Sequence, residues 1–230
     1  MICVNDLSVE YANGKRAVSG ATFQIAPGES VALVGANGAG KTSLLLALMG
    51  ILAAKGGEIT LDGRALNNKT AADFQARIGF VFQNPDDQLF MPSVFEDVAF
   101  GARNLGCDEA ATKERVEAAL EQLNIGHLHN RSPLKLSSGE KRLAAIATVL
   151  AMRPDYLLMD EPTAFLDPRA RRNLQEIVRN LPQGKIIATH NLVFAAAVCS
   201  RVLILKEGTI VAAGDIQCLE DNALLESVGL

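Results

Sequence analysis

Apolar and polar positions alternate over the first part of this 230-residue chain as they do in strands. Ile2, Val4, Leu7 and Val9 mark one strand with a single irregularity, Asn13-Gly14 is a hairpin turn signal, and Phe23 and Ile25 lie on the return. Ala26-Pro27-Gly28-Glu29 then turns the chain into Ser30–Val34, a short apolar run of the kind that forms a buried strand. Residues 43–49 continue as an apolar helix. Two more strands are predicted at 57–63, closed by the turn Asp62-Gly63, and at 78–82. From about 94 to 152 the period becomes helical: between Asp108 and Asn124, the residues Ala111, Val116, Ala119, Leu120 and Leu123 share one face. After Pro154, compact apolar runs return at 156–159, 185–189 and 202–206, the pattern of parallel strands buried on both faces. Asp167-Pro168 predicts a helix start between the first two, with Asp as N-cap and Pro at the first helical position. Strands alternating with helices imply an α/β core with a parallel sheet, and the helical stretch reads as an insert within it.

Length and composition then bound the function. A chain of this size can bury a substantial core as one domain, or one domain with an insert. Its 49% hydrophobic and 21% charged residues are ordinary for a soluble globular protein. The formal net charge of −4 argues against nucleic acid as a partner, because phosphate backbones are bound by clustered Lys and Arg. The start, Met1-Ile2-Cys3-Val4-Asn5-Asp6, lacks the basic residues and apolar run of a secretory signal. The longest apolar stretches, around 143–152 and 44–54, fall short of the roughly 20 residues that cross a bilayer. Cys3, Cys107, Cys199 and Cys218 are scattered, which suggests neither a disulfide framework nor a zinc knuckle and fits a reduced cytosolic compartment. His127 and His129, flanking Leu128, read as surface-loop histidines rather than metal ligands.

The chemistry concentrates in residues 35–42, Gly-Ala-Asn-Gly-Ala-Gly-Lys-Thr. The glycines let successive backbone N–H groups point inward at phosphate oxygens. Lys41 can place its ammonium between the β and γ phosphates, and Thr42 can offer a hydroxyl to Mg²⁺. A flexible glycine-rich turn is the bland alternative, but a strand before the octet and a helix after it are the context this motif requires. Gly35, Asn37, Gly38, Gly40, Lys41, Thr42 and Ser43 are therefore candidate nucleotide-binding residues. Farther on, Tyr156-Leu157-Leu158-Met159 is an apolar strand ending in Asp160 and Glu161. At the C-terminal rim of a parallel sheet, Asp160 would hold Mg²⁺ and Glu161 would polarise the water that attacks the γ-phosphate. In Leu136-Ser137-Ser138-Gly139-Glu140, Ser137 and Glu140 form a capping box, and the helix start they define is also a possible anion site.

The order of these segments is informative in itself. Phosphate loop, Gln83, the Ser137 segment, Asp160-Glu161, Ala164-Phe165-Leu166-Asp167 and His190 follow one another as in ATP-binding cassette (ABC) ATPases, which the chain resembles over nearly its whole length. Phe82-Gln83-Asn84-Pro85-Asp86-Asp87-Gln88-Leu89-Phe90, followed by Val94-Phe95-Glu96-Asp97-Val98-Ala99-Phe100-Gly101, is similar to the ATPase subunits of energy-coupling factor (ECF) importers, particularly the cobalt and nickel group.

That resemblance implies a P-loop NTPase core with a mixed or parallel sheet, an N-terminal antiparallel β subdomain and an inserted α-helical subdomain. Residues 1–85 and 151–230 would form the nucleotide-binding core, and 86–150 the helical subdomain. It implies that Tyr11 stacks on adenine and that Gln83 contacts Mg²⁺ and the γ-phosphate. Lys41, Gln83, Glu161 and His190 would be catalytic, and Thr42, Gln83 and Asp160 would hold the metal. Ser137 and Gly139 would meet the nucleotide of a second ATPase subunit in a head-to-tail dimer closing on two ATP molecules. The partners implied are an integral membrane coupling protein and a substrate-binding membrane subunit, at the cytoplasmic face of the membrane. Cobalt or nickel leads as cargo, with biotin or another vitamin behind. A DNA-maintenance ABC ATPase would share these stations, but its long coiled coils or zinc modules have no counterpart here. A P-loop kinase would need neither the Ser137 segment nor His190.

Three departures from the family's pattern carry expectations. Ser138 stands where a glycine is usual and would be strained if the position needs positive φ. Glu140 replaces a common glutamine and can still act as capping acceptor. Phe165 replaces a small residue and could crowd a dimer interface.

Overall fold

The computed structural model describes residues 1–229. The predicted hairpin is formed by β1 (Ile2–Glu10) and β2 (Arg16–Ile25), with Ile2 opposite Ile25 and Val4 opposite Phe23. β1 is more irregular than the single break predicted: its register against β2 shifts between Val4 and Leu7, where Asp6 takes a φ of 48°, and again between Leu7 and Val9 and between Val9 and Glu10. After β3 (Ser30–Val34) and α1 (Lys41–Leu48), β4 (Ala54–Leu61) pairs with the free edge of β1, and β5 (Arg64–Ala65) folds back across Asp62-Gly63. The result is an antiparallel sheet in the order β2-β1-β4-β5.

The larger sheet contains β3, β6 (Ile78–Val81), β7 (Tyr156–Asp160), β8 (Gly184–Ala188), β9 (Arg201–Lys206) and β10 (Thr209–Asp215), in the order β10-β9-β3-β8-β7-β6. Neighbours from β9 through β6 run parallel, and β10 pairs antiparallel with β9, so the sheet is mixed. The period of two explains why the parallel strands read as unbroken apolar runs. Ala32, Val34, Leu157, Met159, Ile187, Val202 and Ile204 enter the core on one face. Val31, Leu33, Tyr156, Leu158, Ile186, Leu203 and Leu205 enter the other, together with α1 and the antiparallel sheet.

The stretch predicted as helical resolves into α3 (Val94–Asn104), α4 (Glu109–Gln122) and α5 (Ser138–Leu150), with two short 3₁₀ turns, Gly126–Leu128 and Pro133–Lys135, between α4 and α5. On α4 the buried face holds Thr112, Val116, Ala119 and Leu120, while Ala111 is only half-buried; that position differs from the sequence reading. Val98, Ala99, Val116 and Leu120 belong to the same core cluster as the sheet face beneath them, so the helical layer has no separate core. α6 (Pro168–Asn180) starts at the predicted Asp167 cap, whose carboxylate accepts from the N–H groups of Arg169 and Ala170. α7 (Leu192–Val198) and α8 (Asn222–Val228) complete the set with α2 (Ala71–Arg77). Among the described residues no helix is long and apolar enough to cross a membrane.

Candidate active site

All the parallel strands end at one rim, and the chemistry sits there. β3 runs into the phosphate loop, β6 into Gln83, β7 into Glu161 and β8 into Thr189 and His190. A cavity of about 570 Å³ at this rim is lined by Tyr11, Asn37, Gly38, Gly40, Lys41, Thr42, Ser43, Gln83, Asp160, Glu161 and His190. Gly35 is buried behind it: a Cβ there would lie 2.2 Å from the carbonyl oxygen of Leu205.

The start of α1 differs from those of α3 through α8, each of which closes its first turn with an Asp, Ser or Asn side chain. Its N-cap is Gly40, left-handed at φ 105°, and among the described residues no side chain caps its first N–H groups. A Cβ at Gly40 would meet the carbonyl of Ala17 at 2.2 Å, so only glycine fits there. The unsatisfied donors and the positive end of the helix dipole together form an anion site.

Three charged side chains share the cavity floor. Lys41 is buried, and its ammonium donates to the carbonyls of Gly35 (2.7 Å) and Ala36 (3.2 Å) while standing 3.9 Å from Glu161 Oε1. Burial lowers the Lys41 pKa, and Glu161 and Asp160 oppose that shift. Asp160 accepts from Thr42 Oγ1 at 2.7 Å, yet burial pushes its pKa up, against the Thr42 hydrogen bond. A desolvated carboxylate beside a hydroxyl is a hard oxygen donor pair, the kind that suits Mg²⁺ with phosphate and water as further ligands. Glu161 takes a φ of 43°. Its Oε2 accepts from Thr189 Oγ1 (3.0 Å), and its Oε1 accepts from the His190 N–H (3.1 Å) and lies 2.9 Å from His190 Nδ1.

Not every sequence candidate meets at this point. Tyr11 lines the cavity with its hydroxyl 2.8 Å from Ser43 Oγ. Ser137 and Gly139 do not line it. Ser137 instead caps α5 in the predicted box, with Oγ accepting from the Glu140 N–H and Glu140 Oε2 accepting from the Ser137 N–H at 2.8 Å. Ser138 is the first residue of α5 and has no positive φ, so the strain expected of it does not arise. Phe165 does take a left-handed conformation, at φ 63°, and is 75% exposed. It faces a second cavity of about 700 Å³ on the other side of Thr42, Gln83 and Asp160, shared with Phe82, Asn84, Asp86, Asp87, Ser138 and Lys141.

Residues 18–164 match the ABC transporter family. This chain belongs to the ABC transporter ATPases. The ABC ATPase is 50% identical over 219 residues to a candidate ABC transporter ATP-binding protein of Geobacter sulfurreducens, covering 95% of this chain and 88% of the relative. It is 40% identical over 230 residues to the energy-coupling factor transporter ATP-binding protein EcfA of Carboxydothermus hydrogenoformans, covering 99% and 85%. Among solved structures it resembles CbiO1 of Clostridium perfringens, described as part of the ABC transporter complex CbiONQ, at 35% identity and a TM-score of 0.88, covering 99% and 93%. It is thus an ATP-binding, ATP-hydrolysing subunit of the energy-coupling factor type.

Sequence reading missed several residues of this ABC ATPase's site. Lys15, Arg16 and Glu207 also line the phosphate cavity. The basic pair just after the Asn13-Gly14 turn is a signal that could have pointed to the first two. Thr189, fully buried and bonded to Glu161, directly precedes His190, and Arg142, 1% exposed in α5, follows the Ser137 segment by two residues; those neighbouring motifs are the signal that could have pointed to them. Arg142 is held below the usual arginine range, at about 10, by burial.

Proposed function

We propose that this ABC ATPase binds MgATP at Lys41, Thr42, Gln83, Asp160, Glu161 and His190 and closes head to tail on a second ATPase subunit, identical or paralogous. The observation that carries this reading is the division of the site. Eleven of the candidate residues converge on one cavity, while Ser137 and Gly139, at the start of α5, stay outside it. A second chain would bring that helix start to the open side of the γ-phosphate and complete the cage.

Within one site, Lys41 would leave the carbonyls of Gly35 and Ala36 for the β and γ phosphates, and the first N–H groups of α1 would hold the phosphate oxygens. Tyr11 would stack on adenine. Thr42, Asp160 and Gln83 would hold Mg²⁺, which when bound supplies Lewis-acid neutralisation of phosphate charge. Glu161 would orient the attacking water and take its proton at a carboxylate oxygen, with His190 at 2.9 Å fixing the side chain. In this reading residues 1–85 and 151–230 act as the nucleotide-binding core and 86–150 as the helical unit that moves with the partner.

We infer further that closure drives uptake through an integral membrane coupling protein and a substrate-binding membrane subunit, with the ATPase peripheral on the cytoplasmic face. The similarity of residues 82–90 to ATPases of the cobalt and nickel group favours those ions as cargo. Uptake of radiolabelled cobalt and nickel in cells carrying this chain and its membrane partners, with and without Glu161→Gln, tests the proposal. Uptake of neither ion beside ATP-dependent uptake of a vitamin would reject the cargo and keep the engine.

A further inference from the structure

Arg142 is a buried cation that no carboxylate of the described residues bonds. It is the largest fully buried side chain among the described residues. Nη1 donates to the carbonyl of Phe82 and Nη2 to that of Gln83, each at 2.6 Å, and Nε is buried with no hydrogen-bond partner. Burying a guanidinium on two carbonyls is a poor route to stability, since an apolar side chain of similar volume fills such a space without desolvating a charge. What the guanidinium supplies is geometry: a planar fork that fixes two successive peptide groups at once.

A second tie grips the same segment. Gln88 Oε1 accepts from the Phe82 N–H at 3.1 Å, while its Nε2 donates to Ala145 O (2.8 Å) and Thr148 Oγ1 (2.7 Å), both on α5. The backbone that leaves β6 is therefore held by side chains that belong to α5 or are anchored on it. Gln83 itself lines the phosphate cavity, and the N-terminus of α5 carries Ser137.

We propose that Arg142 is a positioning residue for ATP hydrolysis: its fork ties the Gln83 peptide, at the edge of the core, to α5, so that the place of Gln83 at one nucleotide is set by the position of α5 and of Ser137 at the other. The inference rests on the assignment of Gln83 to the γ-phosphate side of the site. Arg142 itself does not line the phosphate cavity, so its loss acts on turnover and leaves ADP binding alone.

The test is a double-mutant cycle on the full chain, reading steady-state ATPase activity and ADP affinity by calorimetry. Arg142→Met is expected to lower kcat about tenfold with the Kd for ADP within about twofold of wild type. Arg142→Lys, which keeps a charge but can hold only one carbonyl well, falls between. On a Gln83→Ala background, Arg142→Met adds no further loss, because the group it positions is gone. Equal losses on both backgrounds, a loss confined to ADP affinity, or wild-type turnover of both Arg142 variants overturns the inference. If Arg142→Met does not yield folded protein, Arg142→Lys runs through the same cycle. Wild-type turnover of Gln83→Ala alone would instead reject the assignment of Gln83, and the positioning role with it.

Discussion

Lys41 and Glu161 face each other 3.9 Å apart, both almost wholly shielded from water, and removing either leaves the other as a buried charge without its partner. Lys41→Ala is expected to abolish ATP turnover and weaken nucleotide binding, since loss of one such phosphate contact costs about 3–4 kcal/mol of transition-state stabilisation. Steady-state kinetics decide it, and turnover within a few-fold of wild type would move the active site elsewhere. Tyr11 calls for two variants. Its ring should contribute about 1–3 kcal/mol by stacking on adenine, which Tyr11→Ala removes. Tyr11→Phe keeps the ring and loses only the half-exposed bond to Ser43, so ATP affinity should stay within about fivefold of wild type. Fluorescent-nucleotide titration separates them: equal affinity for all three proteins would make Tyr11 a framework residue.

The start of α5 does two jobs at the scale of an element. Ser137 and Glu140 satisfy each other's backbone N–H groups, and these Ser137 bonds hold the Glu140 carboxyl below its usual range. The sign follows from that depression. The cap's contribution is present above the unfolded glutamate pKa, and it fades as the pH falls through the lowered folded value. Ser137→Ala should cost about 1 kcal/mol of stability at neutral pH, the scale of a lost N-cap, and the difference from wild type should narrow in acid. Thermal melts at two pH values measure it. If Ser137 also meets phosphate across a dimer, turnover falls further than that loss of stability explains. The 3₁₀ turn Pro85–Asp87 is the other informative element. Asp87 is exposed, bonds only locally to Asn84, and does not line the phosphate cavity. Asp87→Ala should therefore impair cargo uptake in cells more than it impairs the ATPase activity of the purified chain. Equal effects on both would place the coupling surface elsewhere.

For the whole molecule, the proposed cycle links closure to cleavage. Glu161→Gln keeps the shape of the side chain and removes the carboxylate that orients water, so ATP should bind, hydrolysis should nearly stop and a closed dimer should accumulate. Size-exclusion chromatography with and without ATP reads this directly. A variant that binds ATP and remains monomeric contradicts head-to-tail closure. Copurification from membranes tests the proposed partners, and a chain that brings no membrane protein with it would reject them.

The sequence by itself determined the stations and most of the frame. Glycine spacing at 35–42, an apolar strand running into Asp160-Glu161, the Asp167-Pro168 start and the Ser137–Glu140 box are each set by interactions within a few residues, so their chemistry shows in the local order of side chains. What it could not show has one of two physical causes. Some elements carry no period: α7 is apolar all round, α2 buries only Phe74, and β10 is an edge strand with alternate residues exposed. Other roles exist only between segments far apart in the chain. Arg142 grips Gln83 across 59 positions, and Thr42 reaches Asp160 across 118. The tertiary structure alone settles that Ser138 is unstrained, that Thr189 holds Glu161, and that Ser137 lies outside its own chain's phosphate cavity. Packing geometry decides those matters, because burial, backbone φ and the approach of distant strands are not written in the identity of neighbouring residues.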